Sequence, residues 1–353
     1  MKVIHIDKKQ WFQGIDTARE HYHLLGPVAE NNISIFKSLY RDIYPEMSGR
    51  NTTLSPKSIL FPQTEKILTA CLDESVDNHH IMQRATADYS PRAVIGIQPC
   101  DARAVQLMKV NFDTADYRDP YWCDAYDATT FVGLAVNRPV ASDFSTSMGT
   151  GPFAEEGLDV LLVDTGEHYL AKVVTPKGEN FLAMAGFDTI TDTAAALNVI
   201  ESMKKEAEAA ITTKVDTDSL AGKDLLALHA APFWEDIAFT CINCGTCTFL
   251  CPTCWCFDIQ DETRDRTAAR FRNWDTCMAP LFTQHGSGHN PRADKTQRVR
   301  QRFMHKFKYF VDKYDHGTMC VGCGRCVEKC PVNIDIRTVC NTMNAYEPQK
   351  QSA

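Results

Sequence analysis

Two cysteine runs constrain this chain more than any other feature. Cys241-Ile-Asn-Cys244-Gly-Thr-Cys247-Thr-Phe-Leu-Cys251-Pro252 is echoed by Cys320-Val-Gly-Cys323-Gly-Arg-Cys326-Val-Glu-Lys-Cys330-Pro331. Both read C-x2-C-x2-C-x3-C-P, the spacing of bacterial iron–sulfur sites. Three thiolates on one tight loop can cap three irons of a cubane. The fourth cysteine, about one helical turn on, ordinarily serves the other cluster. Two 4Fe–4S clusters with crossed ligation are therefore expected: Cys241, Cys244, Cys247 and Cys330 for the first, and Cys320, Cys323, Cys326 and Cys251 for the second. Structural zinc prefers two ligand pairs separated by a dozen or more residues, and disulfide frameworks belong to short secreted chains. Neither fits this pattern.

A chain of 353 residues can bury a sizeable core, and two domains are expected. The N-terminus meets Lys8 and Lys9 before any long apolar run, so no signal peptide is expected. No stretch approaches the ~18 apolar residues of a membrane span. Fifteen cysteines without an export signal point to a reducing cytoplasm and to an anaerobic setting. The net charge of −8 is uneven: Arg264 to Lys313 carries twelve Lys and Arg against four Asp, a net of +8, which leaves −16 for the rest. This block lies between the cysteine runs and is interleaved with aromatics. It reads as counter-charge to anionic clusters, or as a face for an acidic redox partner, rather than as a nucleic-acid patch. The competing reading of residues 298–308 is a solvated helix face.

Along residues 1–222 the pattern is α/β with a mixed sheet. Trp11 and Phe12 read as core anchors, and residues 31–41 as a short helix or strand. Ser58–Phe61, between Pro56 and Pro62, reads as a buried strand. A helix is expected from Thr64, with Ile67, Leu68, Cys71 and Leu72 on one face. Ala93–Ile97 is the clearest strand, followed by a helix capped by Asp101. Phe131–Val136 and Leu158–Val163 are further strands, the latter forming a hairpin with Tyr169–Val174. The loop from Ser145 to Pro152 contains glycines that serve either a tight turn or a close approach to a phosphate or flavin. An amphipathic helix spans Thr193 to Ile211. The polar stretch 212–223 marks the expected boundary between a docking domain, 1–222, and an α-helical ferredoxin-like two-cluster domain, 223–353. One helix from Asp224 to about Phe239 would deliver the chain to Cys241, the insert between the runs is helix-compatible, and a helix closes the chain around 333–340.

Seven cysteines lie outside the runs. Cys254, Cys256 and Cys277 are candidates for a third iron–sulfur site, with Cys100 as the candidate fourth ligand; the alternative is that they are small buried side chains beside the clusters. Cys71, Cys123 and Cys340 read as core residues.

Several segments together resemble a known family. They are Pro232-Phe-Trp234, the first run with its extension to Asp258, Phe271-Arg-Asn-Trp-Asp-Thr-Cys277, Gly288-His-Asn-Pro-Arg292, Arg298 to Arg302, His305-Lys306, the second run, Pro99-Cys-Asp-Ala-Arg103 and the loop ending at Pro152. They resemble the iron–sulfur subunits of anaerobic sulfite reductase and of sulfhydrogenase (there the beta subunit), with related subunits in flavin oxidoreductase–heterodisulfide reductase complexes. The resemblance implies an electron relay that links an FAD- and NAD(P)-binding partner subunit with a catalytic reductase or hydrogenase subunit, without catalytic residues of its own. Relatives often carry extra cysteines near the Ser-Met-Gly loop, where this chain has Val136, Asp143 and Ser145, so a site there is not carried over. Two other readings stay open: an enzyme acting on a thiol, disulfide or sulfur species at Cys254, Cys256 and Cys277, and a relay with its own flavin or nicotinamide pocket in the N-terminal domain.

Overall fold

The computed structural model describes residues 2–31, 33–49, 51–190, 192–314 and 316–348. The strands are β1 (Val3–Asp7), β2 (His23–Glu30), β3 (Ile33–Ser38), β4 (Thr64–Cys71), β5 (Gln83–Arg84), β6 (Arg92–Ile97), β7 (Thr129–Leu134), β8 (Val160–Asp164), β9 (His168–Val173), β10 (Phe257–Arg264) and β11 (Thr267–Trp274). A seven-stranded sheet runs β1-β9-β8-β7-β6-β2-β3. Its centre, β2, β6, β7 and β8, is parallel, and its margins are antiparallel.

Parallel strands need both faces covered, and the alternation along β6, β7 and β8 provides two apolar faces. On one side Val94, Phe131 and Leu161 pack against α2 (Pro99–Phe112), α3 (Pro120–Asp127) and α5 (Thr193–Ala210). On the other Ile95, Val132 and Leu162 meet Trp11 and Ile15 of α1 (Lys8–Ala18) and Phe181 of α4 (Pro176–Met184). The strands expected near 93–97, 131–136 and 158–163 are present, as are the β8–β9 hairpin and the helix from Thr193. Phe12 lies on the exposed side of α1, whereas Trp11 is buried.

Three expectations in this region are corrected. Ser58–Phe61 is not a strand: Pro56 opens a 3-10 turn, Pro56–Ile59, because proline suits a first helical position. The helix expected from Thr64 is strand β4, which pairs with β11 some 200 residues away. Its β-branched Thr64, Ile67 and Thr69 suit a strand, and that long-range pairing decides between the two periodicities. Asp101 is not an N-cap: Gln98 holds that position, Pro99 is the first helical residue, and Asp101 faces inward from the first turn.

The second region begins with two short helices, α6 (Leu225–His229) and α7 (Phe233–Phe239), rather than one; Pro232 interrupts the helix expected there. Then follow α8 (Thr246–Phe249), the β10–β11 hairpin, α9 (Lys295–Met304), a π-helical turn His305–Tyr309, α10 (Phe310–Tyr314), α11 (Arg325–Glu328) and α12 (Ile336–Ala345). The insert between the cysteine runs is thus half β and half helical. Its hairpin joins β4 and β5 in a four-stranded sheet, β10-β11-β4-β5. Buried Arg272 of β11 donates to Glu65 of β4 and to Asp119 at the start of α3, and Trp274 stacks on Phe61. The polar stretch 212–223 places Val215 and Leu220 in the C-terminal core, beside Phe307 and Cys340.

Candidate iron–sulfur centres

The two cysteine loops fold alike. Each turns through a glycine of positive φ, Gly245 (74°) and Gly324 (76°), that caps a one-turn helix, α8 or α11. An L side chain is strained in that conformation. The short helices pack against each other, which brings the trailing cysteine of each run to the loop of the other. One cavity is walled by Cys241, Cys244 and Cys247 from the first run and Cys330 from the second, with Met278, Val299, Phe303 and Ile334 excluding water. The Asn243 amide points at Cys241 Sγ (3.4 Å) and the Ile334 amide at Cys330 Sγ (3.2 Å).

Cys320, Cys323 and Cys326 form a second group, with Cys251 as their electrostatic neighbour from the first run. Burial pushes the Cys320 thiol up to about 12 and that of Cys323 up to about 11. Such thiols give up their protons only when a metal takes their place.

This second loop is clasped by the N-terminal region. Gly322 and Gly324 lie so close to Ser142, Phe144 and Ser145 that a Cβ on either would strike them. Phe144 N donates to Gly322 O (3.0 Å) and Asn51 Nδ2 to Cys323 O (2.6 Å). Arg325, between Cys323 and Cys326, forms a bidentate pair with Asp101 (2.6 Å for each bond) and donates through Nε to Thr52 O (2.8 Å). Both side chains are almost wholly buried, Arg325 at 2% and Asp101 at 1% exposure. The Ser-Met-Gly loop therefore packs on the second cysteine loop, and its glycine at 149 serves a turn of φ 71°.

Three buried cations surround the thiols. Lys306 Nζ donates to Cys251 Sγ (3.3 Å), Thr253 Oγ1 (2.9 Å) and Met319 O (3.4 Å). Burial pulls this ammonium down, but Cys251, Cys254 and Cys320 outweigh it and hold Lys306 charged. Burial likewise opposes the Arg302 charge, and Cys247, Cys326, Cys254 and Cys251 more than offset it. Arg302 thus faces thiols of both groups. Lys57 donates to Thr248 O (3.2 Å) and Cys254 O (2.9 Å) and sits over the Trp274 ring; burial, the largest influence, draws it down. The competing reading of 298–308 as a solvated face does not hold: Arg298, Arg302, Lys306 and Lys308 are buried. Buried charge is costly unless compensated, and Arg302 and Lys306 face cysteines.

Cys254, Cys256 and Cys277 line one cavity of about 300 Å³ together with Arg292, Arg302, His305 and Lys306. The neighbouring thiols act on one another: Cys277 draws Cys256 down and is itself raised, and Cys254 stands in the same relation to Cys251. Burial, then Lys306 and Arg292, lower the His305 imidazole to about 4. Cys100 is not brought to this cavity. It lies beside Cys323, buried with Ala104 and Val321, its Sγ 3.7 Å from Gln98 Oε1. Cys123 and Cys340 are buried as expected, whereas Cys71 on β4 is half-buried. Among the described residues no three His, Cys, Asp or Glu side chains converge as a single metal ion requires. In a cubane each thiolate caps a different iron, so the donors surround a void rather than a point.

In the sequence Arg302 and Lys306 stand out only as members of basic segments, and neither the burial of Lys57 nor the pairing of Asp101 with Arg325 is visible there. The charge excess of the insert signalled the cations collectively. An arginine between two ligand cysteines carried no sign of its partner.

Comparison with known proteins agrees with this geometry. Residues 240–334 match the 4Fe–4S dicluster domain family. Over 340 residues, 95% of this chain and 96% of the relative, the sequence is 26% identical to sulfhydrogenase 2 subunit beta of Pyrococcus furiosus. The likeness to that subunit extends along nearly the whole chain. The C-terminal region matches a domain that carries two 4Fe–4S clusters. No solved structure matches the chain. Among the described residues no helix is long and apolar enough to cross a membrane.

Proposed function

We propose that the chain relays electrons between a flavin subunit, which binds FAD and NAD(P), and a catalytic partner of the reductase or hydrogenase type, through two 4Fe–4S clusters of crossed ligation. Cys241, Cys244, Cys247 and Cys330 hold one; Cys320, Cys323, Cys326 and Cys251 hold the other. The observation that carries this reading is the cavity walled by three cysteines of the first run and the last cysteine of the second. Bound there, the clusters store one electron at a time, and four thiolates apiece leave no iron open to a substrate.

The residues around them prepare the sites for that role. Backbone amides at Asn243 and Ile334 point at ligand sulfurs, and Lys306 donates to Cys251, so the added negative charge of a reduced cluster meets fixed donors. Arg302, facing both groups, favours the reduced form of each. The first loop supplies the contact face: Cys244 is exposed, flanked by Phe239 at 82% and Ile242 at 63% exposure. Exposed apolar residues around a redox centre suit a partner's docking surface. The likeness to a sulfhydrogenase subunit supports a hydrogenase- or reductase-type partner, and the flavin subunit is the electron source or sink that this reading adds.

Replacing Cys323 with Ser in the native complex is expected to remove one cluster and stop NAD(P)H-driven turnover. The catalytic partner's own dye-linked activity should persist. Unchanged NAD(P)H-driven turnover would refute the relay.

A further inference from the structure

Cys254 and Cys256 follow the first run, and Cys277 follows β11, yet all three line the same cavity. Its volume, about 300 Å³, far exceeds what one water needs. Trp255, Phe257, Phe282 and Met319 supply apolar wall, and no Asp or Glu lines it. Its charged lining is cationic: Arg292, Arg302 and Lys306. Arg302 is 5% exposed, and its Nε has no hydrogen-bond partner among the described residues. An unsatisfied buried donor on a cation calls for an anionic occupant.

The fourth wall comes from the π-helical turn that begins at His305. Single π turns inside helices are frequent at functional sites. This one presents two consecutive side chains, His305 and Lys306, to the same cavity. Lys306 also reaches Cys251, so it joins the cavity to the second ligand set. Cys100, the fourth ligand expected from sequence, is excluded by its place beside Cys323.

We propose that Cys254, Cys256, Cys277 and His305 hold a third iron–sulfur cluster of the 4Fe–4S type, ligated by three thiolates and one imidazole. The assignment rests on the two-cluster reading, because Cys254 adjoins Cys251 of the second set. Donors for one ion converge to about 2.0–2.3 Å from its centre, which these side chains do not do; spread around a roomy cavity, they match a cubane. Arg292, Arg302 and Lys306 offset its negative charge, and its position next to Cys251 makes it a third station of the same relay.

The test uses the full chain, purified without oxygen and reconstituted with iron and sulfide. About twelve irons per chain are expected, and Cys277→Ser should lower this to about eight, with the signals of the other two clusters intact as a check on folding. A wild-type value of about eight overturns the third cluster and leaves the cavity to a sulfur-species substrate, whereas a value well below eight overturns the two-cluster reading instead. The fourth ligand has its own readout. His305→Ala should leave a cluster that sheds one iron on mild oxidation and shows the EPR signal of a three-iron species, and His305→Cys should restore the four-iron form. An EPR spectrum unaltered by His305→Ala would overturn the imidazole assignment.

Discussion

The two cysteine loops share one spacing and one turn geometry and live in opposite surroundings. At Cys244 the first loop is exposed, among exposed apolar side chains. The second is buried and tied to the N-terminal region through Asn51, Thr52, Asp101 and Ser142. The matched residue makes the contrast concrete: the place held by half-buried Thr246 in the first loop is held in the second by Arg325, locked onto Asp101. One motif is thus set twice, once at the exposed surface and once in the interior. The α/β region fixes the interior one by presenting the ends of β6 and β7, with the segments that follow them, to Cys320–Cys326.

The largest effect should come from breaking that lock. Arg325→Met strands the Asp101 carboxylate in the interior and is expected to cost about 3–5 kcal/mol, whereas Thr246→Met at the matched position should cost under about 1 kcal/mol. Thermal unfolding of the anaerobic proteins measures both; equal losses would erase the distinction between the loops. Next comes Lys306→Met. It removes a charged donor from Cys251, which disfavours the reduced state. The potential of the second cluster should fall by on the order of 100 mV, the equivalent of one charged hydrogen bond. A redox titration followed by EPR reads this, and a drop confined to the first cluster would contradict the ligand assignment. Smallest in stability is Ile242→Ser on the exposed loop, within about 0.5 kcal/mol of the parent. It should nevertheless weaken association with a redox partner, measured by affinity for the flavin subunit; unchanged affinity would remove the first loop from the contact face.

What could be read beforehand followed the range of the interactions involved. The cysteine spacing, the run Ala93–Ile97 and the helix from Thr193 are local patterns, and they appear where expected. Strand β4 is not legible locally, because Ile67, Leu68, Cys71 and Leu72 also fit a helical face, and the partner that settles the matter, β11, lies far along the chain. The insert misled for the same reason. Its basic residues suit a helix surface, yet Arg272 exists to meet Glu65 and Asp119 across the sheet. Nothing local in the sequence separates Cys100 from Cys254, Cys256 and Cys277. Only the packing of α2 places it at Cys323 and leaves His305, on a π turn that no periodicity announces, at the other cavity.

Crossed ligation is the central claim, and one comparison of spectra tests it most directly. Cys330→Ser, Cys244→Ser and Cys323→Ser are each prepared in the full chain without oxygen, and the EPR spectra of the reduced proteins are overlaid. Crossed ligation predicts that Cys330→Ser perturbs the same signal as Cys244→Ser and leaves the signal altered by Cys323→Ser intact. Loss of the Cys323-dependent signal in Cys330→Ser, with the Cys244-dependent one unchanged, would contradict it.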